Sequence, residues 1–180
     1  MIIRSFEDKC PEIGENTFVA ETAAIIGDVK IGKDCSVWYS AVIRGDGNSI
    51  RIGDRVSVQD CVCIHITNGT ESGAVKIGSD VVIGHNATVH ACTVGDRCLI
   101  GMGSTLLDGA VVNEGAIVAA GALVLGKSVI GSGELWGGVP AKFIKRFDAA
   151  DFAEKIEANV QEYVHLSHAY LKDSPPTKKK

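Results

Sequence analysis

A period of six runs through most of this chain of 180 residues and decides what it can fold into. Val19, Ile25, Ile31, Val37 and Ile43 fall six apart, Ile52, Val58 and Ile64 resume the phase, and Ile77, Ile83 and Val89 follow. After one five-residue step it continues through Val94, Ile100, Leu106, Val112, Val118, Val124, Ile130 and Trp136. Six is neither the 3.6 of an α-helix nor the seven of a coiled coil. Hexad repeats mean a parallel β-helix, in which each repeat buries its apolar residue by stacking on its neighbours.

The rest of the hexad agrees. Gly follows the aliphatic residue at Gly32, Gly53, Gly78, Gly84, Gly95, Gly101 and Gly131, where a tight turn or close backbone approach suits a residue without a side chain. Four residues after the aliphatic come Cys35, Ala87, Cys98, Ser104, Ala110, Ala116, Ala122 and Ser128. One large inward residue and one small corner residue per hexad fill a narrow prism. With 46% hydrophobic residues, 21 Gly and few aromatics, the chain is expected to form one all-β domain over residues 1–147.

Charge excludes several partners. The net charge is −4, and the one basic block is the terminal Lys178, Lys179 and Lys180, so neither nucleic acid nor an anionic membrane is expected as a partner. No run is long enough to span a membrane, and M-I-I-R-S-F-E-D lacks the apolar core of a signal peptide, so a cytoplasmic protein is expected. The six cysteines are then reduced and mostly buried thiols. Cys61, Cys63 and His65 lack the paired Cys-x-x-Cys knuckles of a thiolate zinc site.

Two interruptions break the period: R-G-D-G-N-S between Ile43 and Ile52, and H-I-T-N-G-T-E-S-G-A-V-K between Ile64 and Ile77. If each is a loop bulging from one hexad, Ile43, Ile64 and Val89 stack in three successive coils, and Arg44, His65 and His90 follow them in one outward phase. Adjacent coils lie about 4.7–4.9 Å apart, so His65 and His90 can lean toward one metal ion at about 2.0–2.1 Å from each nitrogen. His85 has another phase and sits too far along the face to join them within one prism. If prisms associate around a threefold axis, His85 of one subunit can face His65 and His90 of the next.

Arg44-Gly45-Asp46, Gln59, His65, His85 and His90, in this order on a hexad repeat, resemble the gamma-class carbonic anhydrases and their bacterial relatives. That resemblance implies a left-handed β-helix; handedness does not follow from the period. It also implies that His65, His85 and His90 ligate the metal, with His85 donated across a homotrimer interface. Arg44 and Asp46 fall on a salt bridge between subunits, Gln59 on the residue that hydrogen-bonds the metal-bound water, and Asp60 on a polar residue near the site. The implied reaction is the reversible hydration of carbon dioxide to bicarbonate by a metal-bound hydroxide. Zinc suits three imidazoles, with iron, cobalt or nickel also accepted. The archaeal prototype carries glutamates where this chain has Gly47 and Asn68, and Glu71 lies in the same loop. Weak activity or a non-catalytic metal-bearing scaffold is therefore an alternative. So is an acyl-CoA thioesterase or a hexapeptide acyltransferase.

The C-terminal segment changes period. Asp148 is expected to cap a helix over 148–173, with Phe152, Ile156, Tyr163, Leu166 and Tyr170 as its apolar stripe, packed along the prism or on a neighbour. Tyr163 resembles a tyrosine that family members bring toward the metal pocket. His165 and His168 are expected on a solvated face, and residues 174–180 in a disordered tail.

Overall fold

In the computed structural model, which describes residues 1–147 and 149–173, the chain forms a parallel β-solenoid of about seven turns followed by one helix. Its interior is three columns of seven aliphatic or aromatic residues, one column per face. The first column is Ile3, exposed at its open end, then the buried Ile25, Ile43, Ile64, Val89, Leu106 and Val124, each in register with the next. The second is Ile13, Ile31, Ile52, Ile77, Val94, Val112 and Ile130. The third is Val19, Val37, Val58, Ile83, Ile100, Val118 and Trp136. The hexad period is thus one residue per face per turn. Each buried Val, Leu or Ile contributes about 1.5–3 kcal/mol relative to exposure, so the columns drive the fold.

The corners explain the other hexad positions and choose between the two reasons given for the glycines. The glycine directly after the aliphatic residue does not supply a left-handed turn. A Cβ on Gly84 would stand 2.7 Å from the Met102 backbone nitrogen of the next coil, so the requirement there is close approach. The left-handed residue comes two positions later: Asp34, Arg55, Asn86 and Arg97 in the upper coils, Gly103, Gly109, Gly115 and Gly121 in the lower ones. The small residues Cys35, Ala87, Cys98, Ser104 and Ala110 fill the inner corners, all buried.

The two interruptions differ from each other. R-G-D-G-N-S is not a free loop: Val42–Ile52 is one strand that passes from the first face to the second, and its pairing with Ala24–Ile31 shifts register at the corner: Gly45 opposes Gly27 and Ile50 opposes Val29, so the extra residues bulge there. The second interruption does leave the ladder, and carries a short 3-10 turn at Glu71–Gly73. Either way Arg44, His65 and His90 come into register on three neighbouring coils.

The helix Ala149–Lys172 packs on the third face of its own prism. Ile156 and Val160 are buried with Val82, against Leu99, Ile117, Phe147 and Val164. Near its end Tyr170 stacks on Phe18 at 5.1 Å and meets Trp38 edge-on at 5.3 Å. The expected stripe needs correction: Leu166 is exposed, whereas Val160 and Ser167 are buried. Asp148 and residues 174–180 lie outside the described residues, as does the Phe152 side chain. The strands Glu134–Gly137 and Lys142–Arg146 form an antiparallel pair that closes the solenoid.

The faces differ in what they present outward. The third is covered by the helix. The second carries Lys30, Arg51 and Lys76 in register. The first shows Ala24, Val42, Cys63, Thr88, Thr105 and Leu123, with no charged residue in that column.

Candidate metal centre

His65 and His90 end adjacent strands, so the ladder sets them side by side at the corner between the first and second faces. Their rings lie 5.3 Å apart between centroids, and His65 Nδ1 stands 3.2 Å from His90 Nε2. The opposite nitrogen of each ring faces a carboxylate. His65 Nε2 is 3.3 Å from Asp46 Oδ1, and His90 Nδ1 is 2.6 Å from Asp108 Oδ1. These carboxylates assign the tautomers: each imidazole donates its outer N–H to an aspartate and turns a lone pair inward. Two lone pairs then face each other, an arrangement that a cation between them relieves.

Electrostatics keep His65 neutral. Burial, reinforced by the Arg44 guanidinium, holds its pKa below the usual imidazole value despite the pull of Asp46. Burial pushes the Asp46 carboxyl up, but hydrogen bonds from Arg44 and His65 prevail and hold it low. The Thr67 hydroxyl, and after it His90, hold Asp108 low. Arg44 and Asp46 form an ion pair within the single chain.

His85 occupies another edge. It follows the third face at the corner leading into the strand Thr88–His90, five residues and up to about 16 Å of extended chain before His90. Its Nδ1 is 2.8 Å from Asp60 Oδ2, which leaves Nε2 as the outward nitrogen. Gln59 is 5% exposed, and its Oε1 accepts the His85 backbone N–H at 3.1 Å. Tyr163 reaches this corner from the helix, edge-on to Trp38 at 6.1 Å. Burial raises its pKa, followed by the charges of Glu162 and Asp60, while a hydrogen bond with Gln59 opposes them. One chain therefore gathers His65, His90, Arg44 and Asp46 at one corner and His85, Gln59, Asp60 and Tyr163 at another. Among the described residues, no group of three His, Cys, Asp or Glu side chains is placed to hold a metal ion.

Several contributors were not read from the sequence. Asp108 stands one place past Leu107, the position that follows Leu106 as His90 follows Val89, so it reaches the same corner from the next coil. Thr67 donates to Asp108 Oδ2 at 2.5 Å. Asn48 donates its amide to the carbonyls of Thr67 at 3.1 Å and Thr70 at 2.7 Å, joining the two interruptions. Gly47 and Asn68 are packed together: a Cβ on Gly47 would overlap the Asn68 carboxamide. Cys35 and Cys98 are buried as the hexad implies, and Cys92 with them, but Cys10, Cys61 and Cys63 are exposed, so the thiols are half rather than mostly buried. His165 is exposed, and His168 Nε2 lies 3.1 Å from Asp34 Oδ1.

Comparison with known proteins adds an independent line. The bacterial transferase hexapeptide model, of six repeats, matches residues 10–45 and 91–126. The carbonic anhydrase of Geobacillus kaustophilus is 36% identical over 169 residues, covering 94% of this chain and 91% of that protein. The mitochondrial gamma carbonic anhydrase 2 of Arabidopsis thaliana is 42% identical over 170 residues; the match covers 93% of this chain and 61% of that longer protein. A hexapeptide transferase family protein from Anaplasma phagocytophilum superposes with a TM-score of 0.87 at 37% identity, covering 94% of this chain and 98% of that one. On the shared repeat, the near full-length coverage and these identities, the chain belongs to the gamma-class carbonic anhydrase-like family of hexapeptide-repeat proteins.

Proposed function

We propose that this chain is a metal-dependent lyase of the carbonic anhydrase kind, hydrating carbon dioxide reversibly at sites shared between the subunits of a homotrimer. The facing pair His65 Nδ1 and His90 Nε2, 3.2 Å apart, carries the reading. Two ligand nitrogens on one tetrahedral ion at about 2.0–2.1 Å lie about 3.3–3.4 Å from each other, so the rings already stand at ligand spacing. Zinc, or iron or cobalt in its place, supplies water acidified to near neutral pKa and a positive charge for the developing bicarbonate.

The chain's own residues do the rest. His65 and His90 of one subunit and His85 of the next are the ligands, and Asp46, Asp108 and Asp60 fix the three ring tautomers through the nitrogens that face away from the ion. Gln59 holds the His85 backbone and keeps its amide at the pocket edge, where Tyr163 closes over it. Arg44 and Asp46 stand where a neighbouring subunit meets the corner. The uncharged first face is the surface that suits a second copy, because the helix and a cationic column occupy the other two. Buried free thiols at Cys35, Cys92 and Cys98 suit a reducing, cytoplasmic compartment.

With Gly47 and Asn68 in the glutamate positions, no carboxylate carries the proton out from there, and turnover depends on external buffer. A second reading, acyl-CoA thioester hydrolysis or acyl transfer, is favoured by the transferase name of the Anaplasma relative. A non-catalytic metal-bearing scaffold is the third. Stopped-flow carbon dioxide hydration, with metal determined on the same sample, separates them. We expect turnover that scales with bound metal, rises with imidazole buffer and vanishes in His90→Ala. A fully metallated, inert trimer that cleaves acetyl-CoA would move the function to the second reading, and one inert to both substrates to the third.

A further inference from the structure

We infer that Asp108 is a positioning residue that ties the 67–73 loop to His90, so that one carboxylate both orients a metal ligand and latches the loop beside it. Its second role as an orienter rests on the metal reading above; the latch does not. Asp108 belongs to the coil after His90, yet its two oxygens reach back over two coils. Oδ1 takes the His90 Nδ1–H at 2.6 Å and Oδ2 the Thr67 hydroxyl at 2.5 Å. Thr67 is the first residue of the excursion that leaves the ladder after Ile66, and its backbone N–H closes that excursion on Gly73 O at 2.9 Å. Asn48 holds the other side through the Thr67 and Thr70 carbonyls. The loop is therefore fastened at two points, and one fastening runs through the ring of a candidate ligand.

The geometry has two consequences. A carboxylate at 108 accepts from both partners at once, and Asp108→Ala removes both acceptors, so it loses the ring orientation and the latch together. Thr67→Val keeps the shape at 67 and removes only the hydroxyl, so it releases the loop and leaves His90 oriented.

The test uses full-length protein and reads two quantities. In metal-free protein, hydrogen exchange of the 67–73 amides should rise at least about fivefold in both Thr67→Val and Asp108→Ala. In zinc competition titrations against a chelator, Asp108→Ala should bind about 10–100-fold more weakly than the parent, and Thr67→Val within about threefold. The visible spectrum of the cobalt-loaded protein should change in Asp108→Ala alone. Unchanged loop exchange in both variants overturns the latch, and unchanged zinc affinity with an unchanged cobalt spectrum in Asp108→Ala overturns the positioning role. Should Asp108→Ala fail to fold, Thr67→Val decides the latch and Asp108→Leu, which keeps the bulk and has no acceptor, decides the positioning role. If the parent protein takes up no zinc, the metal reading has failed, and the metal-free exchange experiment still decides whether Asp108 latches the loop.

Discussion

Gly84 and Gly103 both border His85, and replacing each by Ala separates the two reasons the solenoid uses glycine. A Cβ at Gly84 would lie 2.7 Å from Met102 N and 3.0 Å from its Cα, both backbone atoms of the next coil. Restoring ordinary contact requires the coils to part by about 0.7 Å, against the 3.4 Å at which such contacts become comfortable. The Gly84 N–H to Ile100 O rung, now 2.8 Å, would then stretch to the edge of hydrogen bonding. Overpacking of about 1–3 kcal/mol plus roughly 1 kcal/mol for the weakened rung gives about 2–4 kcal/mol. At Gly103 a Cβ meets nothing within 4 Å, and the cost is the φ of 65° alone. That left-handed cost is about 1–2 kcal/mol, offset by about 0.4–1 kcal/mol from the stiffer unfolded chain, leaving about 1 kcal/mol. At about 2–4 °C per kcal/mol for a protein of this size, Gly84→Ala should lower Tm by roughly 4–16 °C and Gly103→Ala by no more than about 4 °C. Thermal melts followed by circular dichroism at one fixed protein concentration read the difference. Equal shifts, or a larger loss in Gly103→Ala, would refute the close-approach argument.

Burial pushes the thiols of Cys35 and Cys98 up to about 11 and that of Cys92 to about 12, so at pH 8 Ellman's reagent should leave these three unlabelled in native protein and reach all six cysteines after denaturation; fast labelling of a buried cysteine would contradict the packed corners. The Trp136 indole, then Arg146 and the Gly131 N–H, hold the Glu134 carboxyl low. A depressed carboxyl contributes stability that is present above its unfolded pKa of about 4.3 and lost as pH falls through the folded value. Glu134→Gln should therefore be less stable than the parent at pH 7 and converge with it in denaturant titrations below about pH 4; a gap constant with pH would sink that assignment. Ile64 is wholly buried between Ile43 and Val89, and Ile64→Ala should cost about 2–5 kcal/mol in guanidinium unfolding, a loss under about 1 kcal/mol showing that the column collapses onto the cavity.

Much of this was legible because one number, six, fixes both the register and the face of every residue in the ladder. The stacking of Ile43, Ile64 and Val89, and with it the adjacency of His65 and His90, follows from counting hexads once each interruption is confined to one coil. The same phase could have placed Cys63, which precedes an inward Ile64 and so points out, and Cys61, which sits at the left-handed corner three residues after Val58. The R-G-D-G-N-S stretch was half legible: its extra residues bulge at the corner as counting hexads requires, but strand pairing closes in on both sides of them, with Gly45 opposite Gly27 and Ile50 opposite Val29, so no free loop forms. On the helix, 3.6-residue spacing from Ile156 leads to Val160, Tyr163 and Ser167, and counting to Leu166 placed an exposed residue in the stripe. Asp108 and Thr67 escaped because their partners are two coils apart, and pairing across coils at a corner depends on side-chain reach that the period does not encode.

The shared metal site is the central claim, and subunit mixing tests it most directly. His85→Ala retains His65 and His90, and His65→Ala retains His85, so neither alone can complete a site that draws on two subunits. If equal amounts are unfolded, mixed and refolded as trimers, random assortment places a His85→Ala subunit against the correct edge of a His65→Ala subunit at about one quarter of the interfaces. Bound zinc of about 0.25 per subunit in the mixture, against almost none in either variant refolded alone, is the predicted result. Zinc in the mixture no higher than in the separate variants would contradict a site built from two subunits.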